Sequence, residues 1–169
     1  MSAPDTVRFD HFLEYFPEIE LPVTLNDESH LIFSEQNRPL PLLVCEQFLG
    51  AKPDDDISEY IACFRLPRVV DFFALVYWEA GLLDYNYYLA TYSKTGDLIA
   101  KKSIAGIKVN GEIIQQAVAT IEPDLSIQVV RGSNTDHHTA YDAGTSRSYT
   151  IEMLPDGDIV FSLNEDLPD

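Results

Sequence analysis

The chain has 169 residues, of which 46% are hydrophobic and 23% are charged, and this composition suits one globular domain, residues 1–169, with its own core. Its formal net charge of −17 disfavours nucleic acid and membrane surfaces as partners, because both are bound by clustered Lys and Arg. A basic protein partner, cations and plain solubility remain as interpretations of that charge.

The start of the chain and its apolar runs indicate the compartment. Residues 1–6 lack the basic and apolar regions of a signal peptide. No apolar run reaches the length that a membrane helix needs. We therefore expect a soluble protein of the cytoplasm, with no membrane partner.

The acidic residues are concentrated in the first third of the chain. Residues 1–59 contain 13 Asp and Glu and 3 basic residues, whereas residues 60–169 contain 15 and 8. Acidic surfaces of this kind commonly serve solubility. We expect these carboxylates to lie on a solvated helical surface.

The first predicted element is a helix that Asp5 or Thr6 can cap. It ends before Pro17, since the residue that precedes a proline is driven out of the helical region. Apolar residues recur along one face at helical spacing: Phe9, Phe12, Leu13 and Phe16. Three phenylalanines on so short a helix need a large apolar surface to pack on, and that surface has to come from later in the chain.

The rest of residues 1–57 is predicted to be partly extended and partly helical. Residues 19–25 alternate apolar and polar side chains around Pro22, which makes them a connector or an edge strand. Residues 28–35 show poor helical periodicity. A second helix is predicted over residues 41–49, with Gly50 at its end and with three side chains facing inward: Leu42, Cys45 and Leu49.

Residues 58–163 have the pattern of short β-strands that follow one another without helices between them. The candidate strands are 59–66, 71–79, 85–93, 98–104, 112–121, 126–131, 147–154 and 158–163. Strands joined in this way form an antiparallel meander, since parallel pairing requires long crossovers. We predict an α+β fold in which the N-terminal helices pack on a large antiparallel sheet of seven or eight strands, which stays open or curls into a barrel-like shape.

A repeated turn supports the meander. A glycine, an acidic residue and two aliphatic residues recur at 96–99, 111–114 and 157–160, where the glycine permits the turn and the aliphatic residues start the next strand. The pattern Tyr92-x-x-x-Gly96-Asp97-x-Ile99, followed by Ala119-Thr-Ile-Glu-Pro-Asp-x-Ser-Ile127, resembles meanders in uncharacterised bacterial proteins. The resemblance covers residues 58–163. It implies a helical N-terminal segment and an antiparallel sheet, and it implies no activity.

The most aromatic stretch of the chain is the predicted hairpin over residues 72–93, which turns at residues 80–84. It contains the only tryptophan and five of the nine tyrosines. Because side chains alternate along a strand, both of its faces are apolar or amphipathic. One face is expected to meet the main core, and the other lies either under the N-terminal helices or open as a binding wall. Four of its residues are candidates to line a small-molecule site: Tyr77, Trp78, Tyr85 and Tyr87.

The densest group of metal-binding residue types lies in the polar segment 132–146: Asp136, His137, His138 and Asp142. Imidazole and carboxylate ligands suit zinc or iron, or a hydrolytic base. Adjacent histidines point apart in an extended chain, however, and loops collect such residues without binding metal. A solvated loop is the simpler interpretation, and a metal-dependent hydrolase is the alternative.

The sequence carries no motif of a common enzyme class. Neither a nucleophile elbow nor a glycine-rich phosphate loop is present. Cys45 and Cys63 lie in apolar stretches, where a thiol stays protonated. We therefore expect a non-enzymatic acidic interaction protein without a cofactor, of the adaptor or immunity type, which binds a basic protein or a second copy of itself. A small-molecule-binding barrel and the metal-dependent hydrolase remain as alternatives.

Overall fold

The computed structural model describes residues 6–52, 58–135 and 147–164. Within them the chain forms three short helices, α1 (Phe9–Leu13), α2 (Ser29–Gln36) and α3 (Leu42–Phe48). The nine strands are β1 (Val23–Leu25), β2 (Glu59–Arg65), β3 (Phe73–Ala80), β4 (Asp84–Tyr92), β5 (Leu98–Asn110), β6 (Ile113–Ile121), β7 (Ile127–Thr135), β8 (Arg147–Met153) and β9 (Ile159–Leu163).

The strands form one antiparallel sheet in meander order. Strands β2 to β9 each pair with their neighbours in sequence, and β1 pairs with β6 outside that path. The predicted α+β fold with an antiparallel meander is confirmed, and all eight candidate strands of the meander are present. The ninth strand is β1, which lies in the segment predicted to be a connector or an edge strand.

The sheet curls without closing into a barrel. Thr91 of β4 donates a hydrogen bond of 2.5 Å to the carbonyl of Gly157 in the β8–β9 turn. The ammonium of Lys102 in β5 lies 3.9 Å from the ring centroid of Phe161 in β9. Strands that are distant in the sheet order therefore face each other across one side of the sheet, which we call the concave face. The other side is the convex face.

The concave face holds the larger apolar core. Alternate residues of the strands supply it, as the period of two requires. Its buried members include Cys63, Ala74, Val76, Trp78, Tyr87, Leu89, Ala105, Ala119, Ile121, Ile127, Val129 and Ile151. Strand β1 adds Leu25 and helix α2 adds Phe33. The even-numbered residues of β3 thus face the main core, as the alternation predicts.

The convex face of β3 and β4 is covered by α1 and α3. The buried residues between these layers are Phe12, Leu13, Phe16, Val44, Cys45, Leu49, Ala51, Ala62, Leu75, Tyr77, Ala90 and Tyr92. The ring of Phe12 stacks on Phe48 of α3 at 4.3 Å between centroids and meets Tyr92 of β4 edge-on at 5.7 Å. The phenylalanines of α1 therefore find their apolar surface on the aromatic hairpin.

Two helical details differ from the sequence-based expectations. Leu42 was predicted to face inward and is instead 59% exposed, because α3 turns Val44 and Cys45 towards the sheet. Helix α2 forms over residues whose apolar period is poor, and only Ser29 and Phe33 of this helix are buried. Its position depends on contacts with other elements rather than on an apolar stripe of its own.

Candidate functional site

The turn between β3 and β4 exposes two large apolar side chains. The register pairs Glu79 with Asn86 and Ala80 with Tyr85, and the amide of Gly81 donates to the carbonyl of Asp84 at 2.8 Å. We call residues 81–84 the hairpin tip. Its leucines, Leu82 and Leu83, are 80% and 69% exposed, the first of these being the largest exposed fraction among the large apolar side chains of the described residues.

An aromatic stack lies below the tip on the concave face. The imidazole of His30 in α2 is parallel to the indole of Trp78, with 4.4 Å between centroids and 1° between planes. The ring of Tyr85 lies 5.7 Å from each of the other two rings. His30, Trp78 and Tyr85, here the aromatic stack, join the second helix to the open end of the hairpin.

Two hydrogen-bonded anchors position α2 over the hairpin. The register of β2 against β3 shifts between Ala62 and Phe64, and the side-chain Nδ2 of Asn37 donates to the carbonyls of Ala62 and Cys63 at 2.6 and 2.9 Å. At the other end of the helix, the hydroxyl of Tyr87 donates to the carbonyl of Asn26 at 2.9 Å. These bonds hold both ends of the helix, so that its histidine lies over Trp78.

Three buried polar atoms of the stack form no hydrogen bond within the described chain: Nδ1 of His30, Nε1 of Trp78 and the hydroxyl of Tyr85. The whole Trp78 side chain is 6% exposed. A buried polar group without a partner costs about 1–3 kcal/mol, so nearly all such groups are paired in folded proteins. Three such atoms within one stack are a local departure from that rule.

Four carboxylates lie at this end of the hairpin: Asp27 and Glu59 act on the aromatic stack, and Glu79 and Asp84 flank the tip. Burial lowers the pKa of His30 below its ordinary value of 6.5, and the charges of Asp27 and Glu59 oppose that shift. Burial, reinforced by Asp27, raises the pKa of Tyr85 to about 12. Burial, with Glu79 and Asp84, raises the pKa of Tyr88 as well. We call these four carboxylates the acidic rim.

The acidic rim is not neutralised by ion pairs in the described part of the chain, where the only ion pair within 4.0 Å joins Arg8 to Asp10. Lys108 lies opposite Asp84 in the β4–β5 register but forms no such pair with it. The tip therefore combines exposed apolar side chains with unpaired negative charge.

The four residues predicted to line a ligand site do not all meet. Trp78, Tyr85 and Tyr87 lie together on the concave face, with 6.3 Å between the two tyrosine rings. Tyr77 lies on the convex face, 1% exposed among the residues that pack under α1 and α3, and burial raises its pKa. Ligand binding by the three residues of the concave face stays a prediction.

The proposed metal ligands Asp136, His137, His138 and Asp142 lie outside the described residues. The prediction of a metal site there stays untested. Among residues 6–52, 58–135 and 147–164, no three His, Cys, Asp or Glu side chains are grouped so that they could hold a metal ion.

His30, Leu82 and Leu83 were not among the site residues predicted from the sequence. A histidine 48 positions before the tryptophan gives no sequence signal for their contact. The two leucines did give a sequence signal, because turns normally hold Gly, Asn, Asp, Pro or Ser and leucines are unusual at a hairpin turn. That departure from turn chemistry was available from the sequence alone.

The lowered pKa of His30 predicts a pH response of Trp78, the only tryptophan. As the pH falls through the pKa of His30, the imidazolium that forms will quench the indole on which it stacks, with a midpoint below pH 6.5. The unfolded chain binds this proton more readily than the folded one, so stability will rise with pH up to about 6.5. Tryptophan fluorescence checks the midpoint, with His30→Gln as the control. A midpoint at or above 6.5, or the same titration in the control, would contradict this assignment.

The described helices are all too short to span a membrane, since α2, the longest, has eight residues. Comparison with known proteins supplies no relative, because no family model, no curated protein and no solved structure matches the chain. What the protein binds is therefore inferred from the chemistry of the hairpin tip, the aromatic stack and the acidic rim.

Proposed function

We propose that the protein is a non-enzymatic interaction protein that binds a basic protein partner through its hairpin tip. The observation that carries this proposal is the exposure of Leu82 and Leu83, 80% and 69%, at the end of a well-paired hairpin. Large exposed apolar groups rimmed by polar residues are typical of surfaces that bind other proteins.

The two leucines supply the apolar part of the interface. Burying one leucine side chain fully contributes about 1.5–3 kcal/mol, which is the size of a typical interface anchor. The hairpin presents them with little loss of backbone freedom on binding, because β3 and β4 are paired through the last residues before the turn. The tip is thus a preorganised apolar contact.

The acidic rim indicates the sign of the charge that the partner carries. Glu79 and Asp84 flank the leucines, Asp27 and Glu59 lie by the aromatic stack below them, and the whole chain carries −17. Such a surface attracts a basic partner over long range and increases the association rate by about 10- to 1,000-fold. It also repels a second copy of the chain, so a basic protein is favoured over a homo-oligomer at this surface.

The state of the thiols agrees with a role that is not enzymatic. Burial raises the pKa of Cys45 to about 11 and raises that of Cys63 well above its ordinary value. A thiol of this kind is protonated near neutral pH and is a poor nucleophile. Neither cysteine is placed to act as a catalytic group.

The test is an affinity purification from a lysate of the source cell at low ionic strength. It uses the wild type, the double variant Leu82→Ser/Leu83→Ser, and Leu42→Ser as the matched control, since Leu42 is 59% exposed on α3. We expect the wild type and the control to retain the same basic protein and the double variant to lose it.

The captured protein is then purified and titrated by calorimetry. The Kd of the double variant is expected to rise by about 100-fold, which corresponds to about 3 kcal/mol, and that of the control to stay within about twofold. Capture of no protein or of acidic proteins only, or equal affinity of the wild type and the double variant, would refute the proposal.

A further inference from the structure

We propose a second, independent site: a pocket between β5, β7, β8 and β9 that binds a small organic anion carrying a flat apolar ring. The pocket has a volume of about 260 Å³. Its lining includes Lys102, Val129, Arg131, Tyr149, Ile151 and Phe161. None of these residues belongs to the hairpin tip, the aromatic stack or the acidic rim.

The path of β5 creates this pocket. The strand pairs with β4 along nearly its whole length, but it pairs with β6 only from Gly106 to Asn110. Beyond that point β6 pairs with β1, so the N-terminal half of β5 diverges from β6. Lys102 lies in the diverging half and faces β8 and β9 across the gap.

The walls of the pocket suit a flat ring. Val129 and Ile151 are 2% and 3% exposed and form an apolar floor. Tyr149 and Phe161 meet edge-on at 6.2 Å and 72°. Phe161 is 56% exposed as a residue, so a second ring that packs on it removes apolar surface from water.

Each of these two rings has a cationic side chain beside it. The ammonium of Lys102 lies 3.9 Å from the ring centroid of Phe161, and the guanidinium of Arg131 lies 5.3 Å from that of Tyr149. Cation–π contacts hold both groups in place before a ligand arrives. Neither cation forms an ion pair with a carboxylate of the described chain, although the protein contains 28 acidic residues.

The surrounding strands are positively charged in an otherwise acidic protein. Strands β5 to β9 contain five basic residues and a single acidic one, Glu152. A local excess of this kind favours an anion at this position. The planar guanidinium of Arg131 can bind a carboxylate or phosphate through two parallel hydrogen bonds, and Lys102 can neutralise the remaining charge.

The volume limits the ligand to a small one. A neighbouring cavity of about 260 Å³ shares Ser103 and Arg131 and adds polar groups from Gln115, Gln116 and Lys108. A ring on Phe161 with its anionic group at Arg131 would leave this second cavity for a polar extension. The ligand class is therefore an aromatic carboxylate or an aromatic phosphate ester, which share a ring and an anionic group.

The test is a titration of the ¹⁵N-labelled full chain followed by NMR. The probes are benzoate, phenyl phosphate, benzyl alcohol as a ring without charge, and inorganic phosphate as a charge without a ring. We expect benzoate or phenyl phosphate to shift the amide signals of Ser103, Arg131 and Ile151 with saturation, and the last two probes to bind at least about tenfold more weakly.

Variants identify the cations that bind. Lys102→Gln and Arg131→Gln are each expected to weaken binding of the aromatic anion by about tenfold. Lys94→Gln is the matched control, because Lys94 makes the same kind of contact with Phe73, 4.6 Å from its centroid, outside the pocket. Thermal unfolding establishes that each variant is folded.

Three results would overturn the proposal. One is the absence of saturable shifts with either aromatic anion up to 10 mM, a limit of about 2.7 kcal/mol in affinity. Another is equal binding of inorganic phosphate and the aromatic anions, and the third is unchanged binding by Lys102→Gln and Arg131→Gln. None of these results depends on the hairpin tip, so each would refute this site without refuting the proposed partner surface.

Discussion

Replacing Phe12 with alanine is expected to destabilise the protein by about 3–5 kcal/mol, the range for a buried phenylalanine whose site cannot collapse. Phe12 is 0% exposed, and its ring neighbours include Phe16, Phe48 and Tyr92. Its removal leaves a cavity between α1, α3 and β4. The free energy of unfolding, measured with denaturant, checks this expectation.

The matched control is Leu31→Ala, because Leu31 is 58% exposed on α2. We expect its effect to be within about 0.5 kcal/mol, as for most exposed positions. A loss below about 1 kcal/mol for Phe12→Ala would mean that the helical layer is not part of the cooperative core. The interpretation of the convex face as a second core would then be wrong.

Gly106→Ala is expected to destabilise the protein by more than about 3 kcal/mol, since strain and a backbone clash add. Gly106 has φ +152°, and a Cβ atom there would lie 2.2 Å from the carbonyl oxygen of Tyr85. That oxygen belongs to the β4 backbone, which cannot move without breaking its pairing with β5. The midpoint of thermal unfolding, read by circular dichroism, measures the loss.

Gly111→Ala separates the clash from the backbone strain. Gly111 has φ +65°, and a Cβ atom there would meet no atom within 4 Å, so its cost should be about 1 kcal/mol. Equal losses of stability in the two variants would show that the close approach of β4 at Gly106 adds nothing to the cost of the substitution.

The sheet could be predicted because its signals are local. Alternation assigned Trp78 and Tyr77 to opposite faces of β3, and the turn glycines marked the hairpins. The extent of β5 was predicted less well: residues 98–104 were expected, while the strand continues to Asn110. Gly106 lies in the part that was not predicted, and its positive φ lets the strand continue past a close contact with β4.

The candidate site could be predicted only in part, because the contact between α2 and the hairpin joins residues that are far apart in the sequence. The tyrosines were found through the composition of one hairpin. His30 reaches Trp78 through the anchoring of α2 by Asn37 and Tyr87, and no apolar period in residues 29–36 reveals that contact. The exposure of Leu42 has a similar cause, because packing against the sheet sets the rotation of a short helix more strongly than its own spacing does.

The most direct test of the partner surface is photo-crosslinking from the hairpin tip. A benzophenone amino acid is placed at Leu82, or at Leu42 as the control, and each protein is irradiated in a lysate of the source cell. The expected result is a crosslink from position 82 to one basic protein, lost at high salt and absent from position 42. A crosslink from both positions alike, or none from position 82, would contradict binding through the hairpin tip.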